Sequence, residues 1–298
     1  MITTMIIANP SSGKKQAEEY AVRAKEILER SGSTVVVKLT KQKSDIEKFA
    51  KTACSEKFDQ IVVLGGDGTV SELGNALKNE EYRPKIGIIP AGTINNIARG
   101  LGIATNMNRA LQDLANCREK KADAGLINDR LFLSSVSAGS IPETVWEVTD
   151  EQKENLGPMA YFIEGFKSIR EEEPYSIKMN LDGEEKEHEL SLLLIGLSSS
   201  VAGIPNFFRN AEYDDGYLYM FGLKKSTFGE KVSVLTTLIS GSEALSDENN
   251  KGFICKFKEG TIENDYITNV ALDGEKGPSF PFSVKILPSF FTFLVPQI

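Results

Sequence analysis

The stretch Gly65-Gly66-Asp67-Gly68-Thr69 follows directly on the apolar run Ile61-Val62-Val63-Leu64. A β-branched run that ends in glycines is typical of a buried strand leading into a tight turn. The glycines remove side chains where the backbone must approach something closely. The next residues begin a helix, whose free N–H groups point back at the turn and suit a phosphate group. Because Asp67 would repel a bare phosphate, the turn favours a nucleotide phosphate with a divalent cation; an ordinary strand-to-helix turn is the alternative.

The composition is that of an ordinary globular protein. The 298 residues suggest two domains, and 41% of them are hydrophobic and 26% charged. The longest apolar run, near Leu192–Leu197, is far shorter than the about 20 residues that cross a bilayer. No basic residue precedes the first apolar segment, so a signal peptide is not expected. The three widely spaced cysteines fit a reducing cytoplasm and indicate neither a disulfide framework nor a zinc site.

Charge and histidine content narrow the chemistry. His188 is the single histidine and lies in a strongly charged segment, which argues against a Ser-His-Asp triad and against a His-rich metal site. Carboxylates are therefore the expected base and metal ligands, and they favour a hard cation such as Mg²⁺. Residues 1–125 carry a net charge of +4, which suits a polyanionic ligand. The overall charge of −8 argues against a nucleic-acid partner.

The order of strand and helix patterns predicts two domains. Residues 1–122 alternate apolar strands with amphipathic helices, which predicts an α/β N-terminal domain with a doubly wound, mostly parallel sheet. Residues 123–288 carry short apolar or alternating runs separated by Asp-Gly turns, which predicts a C-terminal antiparallel β-sandwich domain. Helical patterns at 158–170 and 227–243 interrupt it. The tail 289–298 is expected to pack back on the first domain, and a cleft is expected between the two.

Polar residues follow three further strands of the predicted parallel sheet. Asn9-Pro10-Ser11-Ser12-Gly13 follows the first strand, Thr40 closes the second, and Pro90–Arg99 follows the strand at 86–89. None of these turns has the spacing of a P-loop. Because ligands of such sheets bind beyond the carboxyl ends of the strands, the four turns are expected to form one site.

These motifs resemble a known family. Gly65-Gly66-Asp67-Gly68-Thr69 with Glu72 and Asn75, followed by Pro90-x-Gly92-Thr93-x-Asn95, is similar to the diacylglycerol kinase catalytic domain, and more narrowly to the soluble bacterial lipid kinases. NAD kinases share the first motif alone. The resemblance continues over nearly the whole chain, in Leu156-Gly157-Pro158-Met159-Ala160-Tyr161, Asp214-Asp215-Gly216, Leu272-Asp273-Gly274-Glu275 and Pro281-Phe282-x-Val284.

The resemblance implies an ATP-dependent lipid kinase that transfers a phosphate to the hydroxyl of a diacylglycerol-like lipid or another long-chain alcohol. It implies that ATP is held by Asn9, Pro10, Ser11, Ser12, Gly13, Thr40, Gly65, Gly66, Asp67, Gly68, Thr69, Glu72, Thr93 and Asn96.

The resemblance also assigns metal and catalytic residues. Asp67 and Asp123 are placed with the catalytic residues and would belong to a water-bridged Mg²⁺ network at the phosphates. Asp215 would hold a structural Mg²⁺ with the backbone carbonyls of Glu212 and Tyr217; a plain Asp-Gly hairpin is the alternative. Glu275 would be the general base, or else a solvated hairpin glutamate. Asp273, in the same turn, is placed with the catalytic residues.

The chain departs from the family pattern at a few positions. Asn96 stands where the family usually carries an aspartate, which gives the metal network one fewer negative charge, and Ser140 replaces an expected glycine. The Asn96 departure motivates a rival reading, a lipid- or nucleotide-binding protein of the same fold with impaired catalysis. A second rival is a soluble-substrate kinase of the NAD kinase type. Phe207-Phe208 would either dip into a membrane or pack in the core.

The expected partners follow from the lipid kinase hypothesis. The lipid substrate would be met at a membrane surface by a cytoplasmic protein that associates with the membrane transiently. No nucleic-acid partner and no transmembrane segment are expected. An exposed strand edge is compatible with a homodimer. The acyl selectivity would depend on a cavity built from distant strands, so the sequence does not identify the lipid.

Overall fold

The computed structural model describes residues 1–10, 16–139, 175–201, 203–240, 250–265 and 270–297. The chain forms two compact units, one made of Met1–Ala124 with Pro288–Ile298 and the other of Gly125–Leu287. Several sequence-based predictions lie outside the described residues: those for Ser11, Ser12, Gly13 and Ser140, the 156–161 motif and the helix at 158–170. The assignment of the nucleotide to 1–122 and of the lipid to 123–288 stays a prediction.

The first unit is an α/β unit, as the alternating pattern predicts. Its central sheet has the strand order β4-β3-β1-β2, and all of these pairs are parallel. The end of the last strand of the chain lies parallel to β4, with Phe293 opposite Ile86. The elements are β1 (Thr3–Ala8), α1 (Ala17–Arg30), β2 (Thr34–Leu39), α2 (Ser44–Ser55), β3 (Gln60–Gly65), α3 (Asp67–Leu77), β4 (Lys85–Pro90), α4 (Asn96–Gly100), α5 (Met107–Asp113) and the start of β5 (Cys117–Ile127).

Apolar periodicity explains why these segments pack as they do. Every residue of β3 is buried, as expected for a strand covered on both faces. Helix α1 buries the residues that recur at helical spacing, among them Ala21, Ala24 and Leu28, against Ile6 and Val62 of the sheet. This core holds the central strands in a fixed position below the loops that follow them.

The register places the strand ends at one edge of the sheet. Ala8, the last residue of β1, lies opposite both Leu39 of β2 and Leu64 of β3. Gly65 of β3 lies opposite Pro90 of β4. The polar turns that follow these four strands therefore begin at the same edge, which confirms the arrangement predicted from the sequence.

The second unit is an antiparallel β-sandwich, also as predicted. Its main sheet runs β14-β13-β7-β9-β8-β12-β15, and β10 pairs with β9 and β11. The elements are β6 (Arg130–Phe132), β7 (Ser135–Gly139), β8 (Tyr175–Leu181), β9 (Glu184–Gly196), β10 (Leu218–Lys224), α6 (Phe228–Ser240), β11 (Gly252–Phe257), β12 (Glu259–Glu263), β13 (Val270–Leu272), β14 (Glu275–Lys276) and β15 (Phe282–Pro296), whose end belongs to the first unit.

The phenylalanine pair of the second unit lies in its core. Phe207 and Phe208 are only 2% and 1% exposed and pack with Phe221, Leu192 and Val234. The core-packing interpretation of this pair is therefore confirmed, and the membrane-insertion interpretation is wrong. Within the described ranges, no helix is both long and apolar enough to span a membrane.

Candidate functional site

The loop after β3 is the centre of the candidate nucleotide site. Gly66 is the extended residue before α3, and Asp67 is the first residue of that helix. Gly65 makes room for Thr69, because a Cβ at Gly65 would lie 2.5 Å from the Thr69 Cβ. The turn is therefore closed by packing of Thr69 on the backbone, and it leads straight into a helix N-terminus.

The loop after β4 is closed by its own side chains. Asn95 has a φ of 56°, in the left-handed region that asparagine tolerates better than most residues. Its side-chain oxygen accepts the Gly92 N–H at 2.9 Å, and its amide group donates to the Gly92 carbonyl at 2.8 Å. Arg99 donates from Nε to the Ile94 carbonyl at 2.9 Å. These bonds fix the loop before α4 begins at Asn96.

The two loops contact each other through their backbones. The Ala91 N–H donates to the Gly65 carbonyl at 2.9 Å. A Cβ at Gly92 would lie 2.7 Å from the Gly66 Cα, so only glycine allows the loops to come this close.

Asp67 joins the same two loops with its carboxylate. Oδ2 accepts the Asn96 N–H at 2.9 Å, and Oδ1 accepts the Ile97 N–H at 3.0 Å. Burial raises the pKa of the Asp67 carboxyl above its usual value, while the N–H groups of Ile97, Asn96 and Asn95 and the Arg99 charge oppose this shift. Asp67 as a whole residue is only partly buried.

The remaining strand ends belong to the same edge. The Asn9 N–H donates to the Leu64 carbonyl at 3.2 Å, which ties the end of β1 to β3. Thr40 is buried, and its N–H donates to the Ala8 carbonyl at 3.0 Å. Asn9, Pro10 and Thr40 therefore lie at the carboxyl edge where the resemblance expects nucleotide ligands.

Three other predicted nucleotide ligands differ in exposure. Thr93 is exposed at the top of the β4 loop, and Asn96 is buried. Glu72, on α3, is partly buried and lies 2.6 Å from the Lys43 ammonium group. Glu72 and Lys43 line a groove of about 460 Å³ between α2 and α3. The structure thus places Glu72 and Asn96 within the fold and leaves Thr93 at its surface.

Asp123, the second carboxylate of the predicted metal network, lies on β5. It is 2% exposed and accepts the Ser289 N–H at 2.7 Å, which links β5 to β15 within the first unit. In the part of the chain that the structure describes, no group of three or more His, Cys, Asp or Glu side chains is arranged to hold a metal ion. The role of Asp67 and Asp123 in a water-bridged Mg²⁺ network stays a prediction.

The predicted structural metal loop is organised by Asp215. The carboxylate accepts the Glu212 N–H at 3.0 Å, the Tyr217 N–H at 2.9 Å and the Tyr219 hydroxyl at 2.8 Å. The donor set that the resemblance assigns, one carboxylate and two backbone carbonyls, consists of oxygen atoms only and fits a hard cation. The role of Asp215, Glu212 and Tyr217 as metal ligands stays a prediction.

Glu275 is carried by a tight hairpin. Asp273 and Gly274 have φ values of 50° and 84° and join β13 to β14 in a two-residue turn with positive φ at both positions, typical of type I′. Leu272 pairs with Glu275 across this turn. Glu275 is partly exposed at the start of β14.

Asp273 holds this hairpin in place. Its carboxylate is 6% exposed and accepts the N–H groups of Leu133 at 2.8 Å, Ser134 at 2.8 Å and Ser135 at 2.9 Å. Its own N–H donates to the Ser135 carbonyl at 2.8 Å. These are the contacts of a positioning residue, and the assignment of Asp273 to the catalytic group stays a prediction.

Sequence reasoning did not place Asn95 and Arg99 among the site residues. Both close the β4 loop through bonds to nearby backbone groups. The signal for Asn95 was its position after a Gly-Thr turn, where asparagine tolerates a left-handed backbone. No spacing rule predicts the bond from Arg99 to a carbonyl five residues before it.

Comparison with protein families agrees with this geometry. Residues 3–127 match the family model described as diacylglycerol kinase catalytic domain. Residues 134–295 match the family model described as YegS C-terminal NAD kinase beta sandwich-like domain.

Individual relatives match over almost their full length. The chain is 30% identical to the diacylglycerol kinase of Staphylococcus aureus (strain MRSA252), over 93% of this chain and 87% of that protein. It is 29% identical to the diacylglycerol kinase of Staphylococcus carnosus (strain TM300), over 98% and 94%. The crystal structure of a putative diacylglycerol kinase from Bacillus anthracis str. Sterne superposes with a TM-score of 0.84 at 28% identity, covering 99% of this chain and 95% of that one. The chain therefore belongs to the diacylglycerol kinase catalytic-domain family.

Proposed function

We propose that this protein is an ATP- and Mg²⁺-dependent lipid kinase that phosphorylates the hydroxyl of diacylglycerol or of another long-chain alcohol. The relatives named diacylglycerol kinase, matched over almost their whole length, support a lipid kinase. The observation that carries the proposal is the joined pair of glycine loops at the carboxyl edge of the parallel sheet. Ligands of such sheets bind at this edge.

The loop after β3 is proposed to hold the ATP phosphates. Gly66 and Gly68 carry no side chain, and the first N–H groups of α3, a helix of 11 residues, bear the partial positive charge of its N-terminus and are proposed to donate to the phosphates. When bound, Mg²⁺ would neutralise part of the phosphate charge. Each Asp67 oxygen has more than one lone pair, so the carboxylate is proposed to accept a hydrogen bond from a water molecule while its N–H contacts hold the loops.

Glu275 is proposed to accept the proton of the lipid hydroxyl. Phosphoryl transfer depends on positioning and charge stabilisation more than on covalent chemistry, so a well-placed carboxylate is sufficient as a base. The hairpin restricts the position of Glu275, because Asp273 anchors the turn to the start of β7. The lipid hydroxyl oxygen forms a bond to the γ-phosphorus of ATP as the bond from that phosphorus to the β–γ bridging oxygen breaks and ADP leaves. The hydroxyl proton moves to a Glu275 carboxylate oxygen.

Two alternative functions remain distinct from this proposal. The NAD kinase-like description of the matched sandwich domain favours a soluble acceptor such as NAD. The neutral residue at Asn96 favours a protein that binds nucleotide or lipid with impaired catalysis.

One transfer assay separates the three functions. The purified chain is incubated with γ-labelled ATP and Mg²⁺, and with mixed micelles of dioleoylglycerol, monooleoylglycerol or sphingosine, or with NAD. We expect labelled lipid phosphate from a lipid arm and none from NAD. Transfer to NAD alone would replace the proposal with the first alternative. Thermal stabilisation by nucleotide without transfer to any acceptor would replace it with the second.

The remaining partner predictions follow from the substrate. A protein that phosphorylates a membrane lipid must meet the membrane surface, so we propose transient association of a cytoplasmic protein with vesicles that contain the lipid. Flotation with dioleoylglycerol-containing vesicles tests this association. The homodimer stays a prediction for sedimentation analysis.

A further inference from the structure

A carboxylate joins the two glycine loops of the first unit. Asp67, the first residue of α3, accepts the N–H groups of Asn96 and Ile97 at the start of α4, 29 and 30 positions further along the chain. The Asn95 N–H contributes a third interaction. Hydrogen bonds to an ionised acceptor are roughly twice as strong as neutral ones. The Asp67 carboxylate is therefore a strong link between segments that are distant in sequence.

The charge balance around this link depends on Asn96. Arg99 supplies a favourable charge, and Asn96, which is 9% exposed, supplies none. The Asn96 nitrogen lies 2.9 Å from Oδ2 of Asp67, so bond lengths keep the Asn96 side-chain carbonyl carbon within about 7 Å of that oxygen. A carboxylate at position 96 would place a second negative charge close to Asp67 in a partly buried environment.

We propose that Asp67 is a positioning residue that assembles the two loops without a metal ion, and that the uncharged Asn96 side chain permits this. With an aspartate at position 96, the two carboxylates would repel each other, and a divalent cation between them would be needed to restore the assembled loops. The structural part of this proposal depends only on the contacts of Asp67. Its consequence for nucleotide affinity rests on the proposed function.

The consequence concerns how much nucleotide binding depends on Mg²⁺. If Asp67 joins the loops of the natural chain without a ligand, as proposed, the nucleotide does not have to supply the free energy of their assembly. In the Asn96→Asp variant that free energy must come from the cation. The nucleotide affinity of the variant should therefore depend more steeply on Mg²⁺.

Thermal melting tests the structural part. The natural chain, Asn96→Asp and the matched control Asn79→Asp, at an exposed position of the same unit, are melted with EDTA and with Mg²⁺. We expect Asn96→Asp to melt about 4 °C below the natural chain in EDTA and to recover most of this loss in Mg²⁺. Asn79→Asp should follow the natural chain in both buffers. A metal site elsewhere affects all three proteins equally and cancels in the comparison.

Two results would overturn the proposal: an Asn96→Asp variant that melts with the natural chain in EDTA, or one whose loss is the same in both buffers. Asp67→Asn is the second variant. Its amide presents two donors and one acceptor to the N–H groups, so we expect a loss of about 4 °C that Mg²⁺ does not restore. An unchanged melting temperature for Asp67→Asn would overturn the proposal as well. If Asn96→Asp yields no folded protein, the Asp67→Asn result decides.

Nucleotide titration tests the consequence. The ratio of the ADP dissociation constant in EDTA to that in Mg²⁺ should be about tenfold larger for Asn96→Asp than for the natural chain. An equal ratio would contradict the link between loop assembly and affinity. If no variant binds ADP in either buffer, the proposed function fails, while the melting experiment still decides the role of Asp67.

Discussion

The carboxylates of Asp67, in the first unit, and Asp273, in the second, accept similar backbone hydrogen bonds, but the two residues differ in how deeply they are buried. Each follows a strand at a tight turn, and each carboxylate accepts backbone N–H groups from a segment far away in the chain. Asp273 is 6% exposed, with three N–H donors around its two oxygens. Asp67 is only partly buried, with two N–H donors on its two oxygens.

This difference in burial separates two possible roles of an aspartate, anchoring of the backbone and contact with a ligand, which a sequence motif alone does not distinguish. The sequence resemblance placed both aspartates with the catalytic residues. Asp273 is enclosed by the backbone it organises, and it fixes the hairpin that carries Glu275, the proposed base. Asp67 organises two loops in the same manner and is less deeply buried as a residue than Asp273. The difference in burial is the reason that a ligand contact is proposed for Asp67 and not for Asp273.

Substitution of Asp273 should have the largest effect. Asp273→Asn keeps the size of the side chain but replaces one acceptor oxygen with a donor group, which faces N–H groups that then lack a partner. We expect a loss of about 3–5 kcal/mol in the free energy of unfolding, because a charged acceptor is removed from a buried set of donors. Urea denaturation measures the loss. Asp265→Asn, at an exposed position of the same unit, is the control and should change stability by less than about 0.5 kcal/mol. Equal stability of the two variants would show that Asp273 does not anchor the turn.

Local patterns predicted the parts of the fold that depend on neighbours in sequence. The buried run of β3, the glycine turn after it and the Asp-Gly hairpin at Asp273 are all readable over a few residues. Strand β5 was not predicted, because its first half carries exposed charged residues and only its second half is apolar. Strand β15 crosses the predicted domain boundary at residue 288 and continues to Pro296, so one strand contributes to both units.

The candidate site was predictable as a set of positions but not as a set of contacts. Alignment of strand ends follows from a parallel sheet, so the shared edge could be inferred from the order of the elements. The bonds of Asp67 to α4 span about 30 residues, and those of Asp273 to the start of β7 span about 140. No periodicity encodes such pairs, because they depend on how the whole unit packs.

Substitution of Glu275 separates chemistry from anchoring within one hairpin. Glu275→Gln removes the proposed base and leaves the turn intact, so kcat for lipid phosphorylation should fall by about a hundred- to thousandfold. The free energy of unfolding should change by less than about 0.5 kcal/mol, in contrast to Asp273→Asn. Steady-state kinetics with saturating ATP, together with urea denaturation, give both quantities. A variant that retains full kcat would remove Glu275 from the mechanism.

Substitution of Gly92 tests the backbone contact that accompanies the Asp67 link. In Gly92→Ala the new methyl group would lie 2.7 Å from the Gly66 Cα and 2.8 Å from the Asn95 side-chain oxygen. We expect a loss of about 2 kcal/mol in unfolding free energy and weaker ATP binding, because the loops must separate. Gly229→Ala, where a Cβ has open space, is the control and should not destabilise the protein. If both variants unfold at the same urea concentration, the loops are not in tight contact.

Asp59 is an exposed carboxylate that also accepts a backbone hydrogen bond. Its substitution should cause the smallest loss of stability among these aspartates. Its Oδ2 accepts the N–H and hydroxyl of Thr3 at 2.7 Å and 2.9 Å, and the Thr3 N–H is the main cause of the lowered pKa of Asp59. A lowered pKa in the folded state means that the ionised carboxylate stabilises the protein above the pKa of the unfolded chain, and that this contribution is lost as the pH falls through the folded pKa.

Solvent screening keeps the contribution of Asp59 below about 1 kcal/mol at neutral pH. The difference in unfolding free energy between the natural chain and Asp59→Asn should therefore be small at pH 7 and should vanish in acid, as urea denaturation at several pH values will show. A difference as large as that of Asp273→Asn, or one that grows in acid, would mean that exposure does not set the strength of these carboxylate links. The expected decrease in stabilisation from the Asp273 carboxylate through that of Asp67 to that of Asp59 would then need another cause.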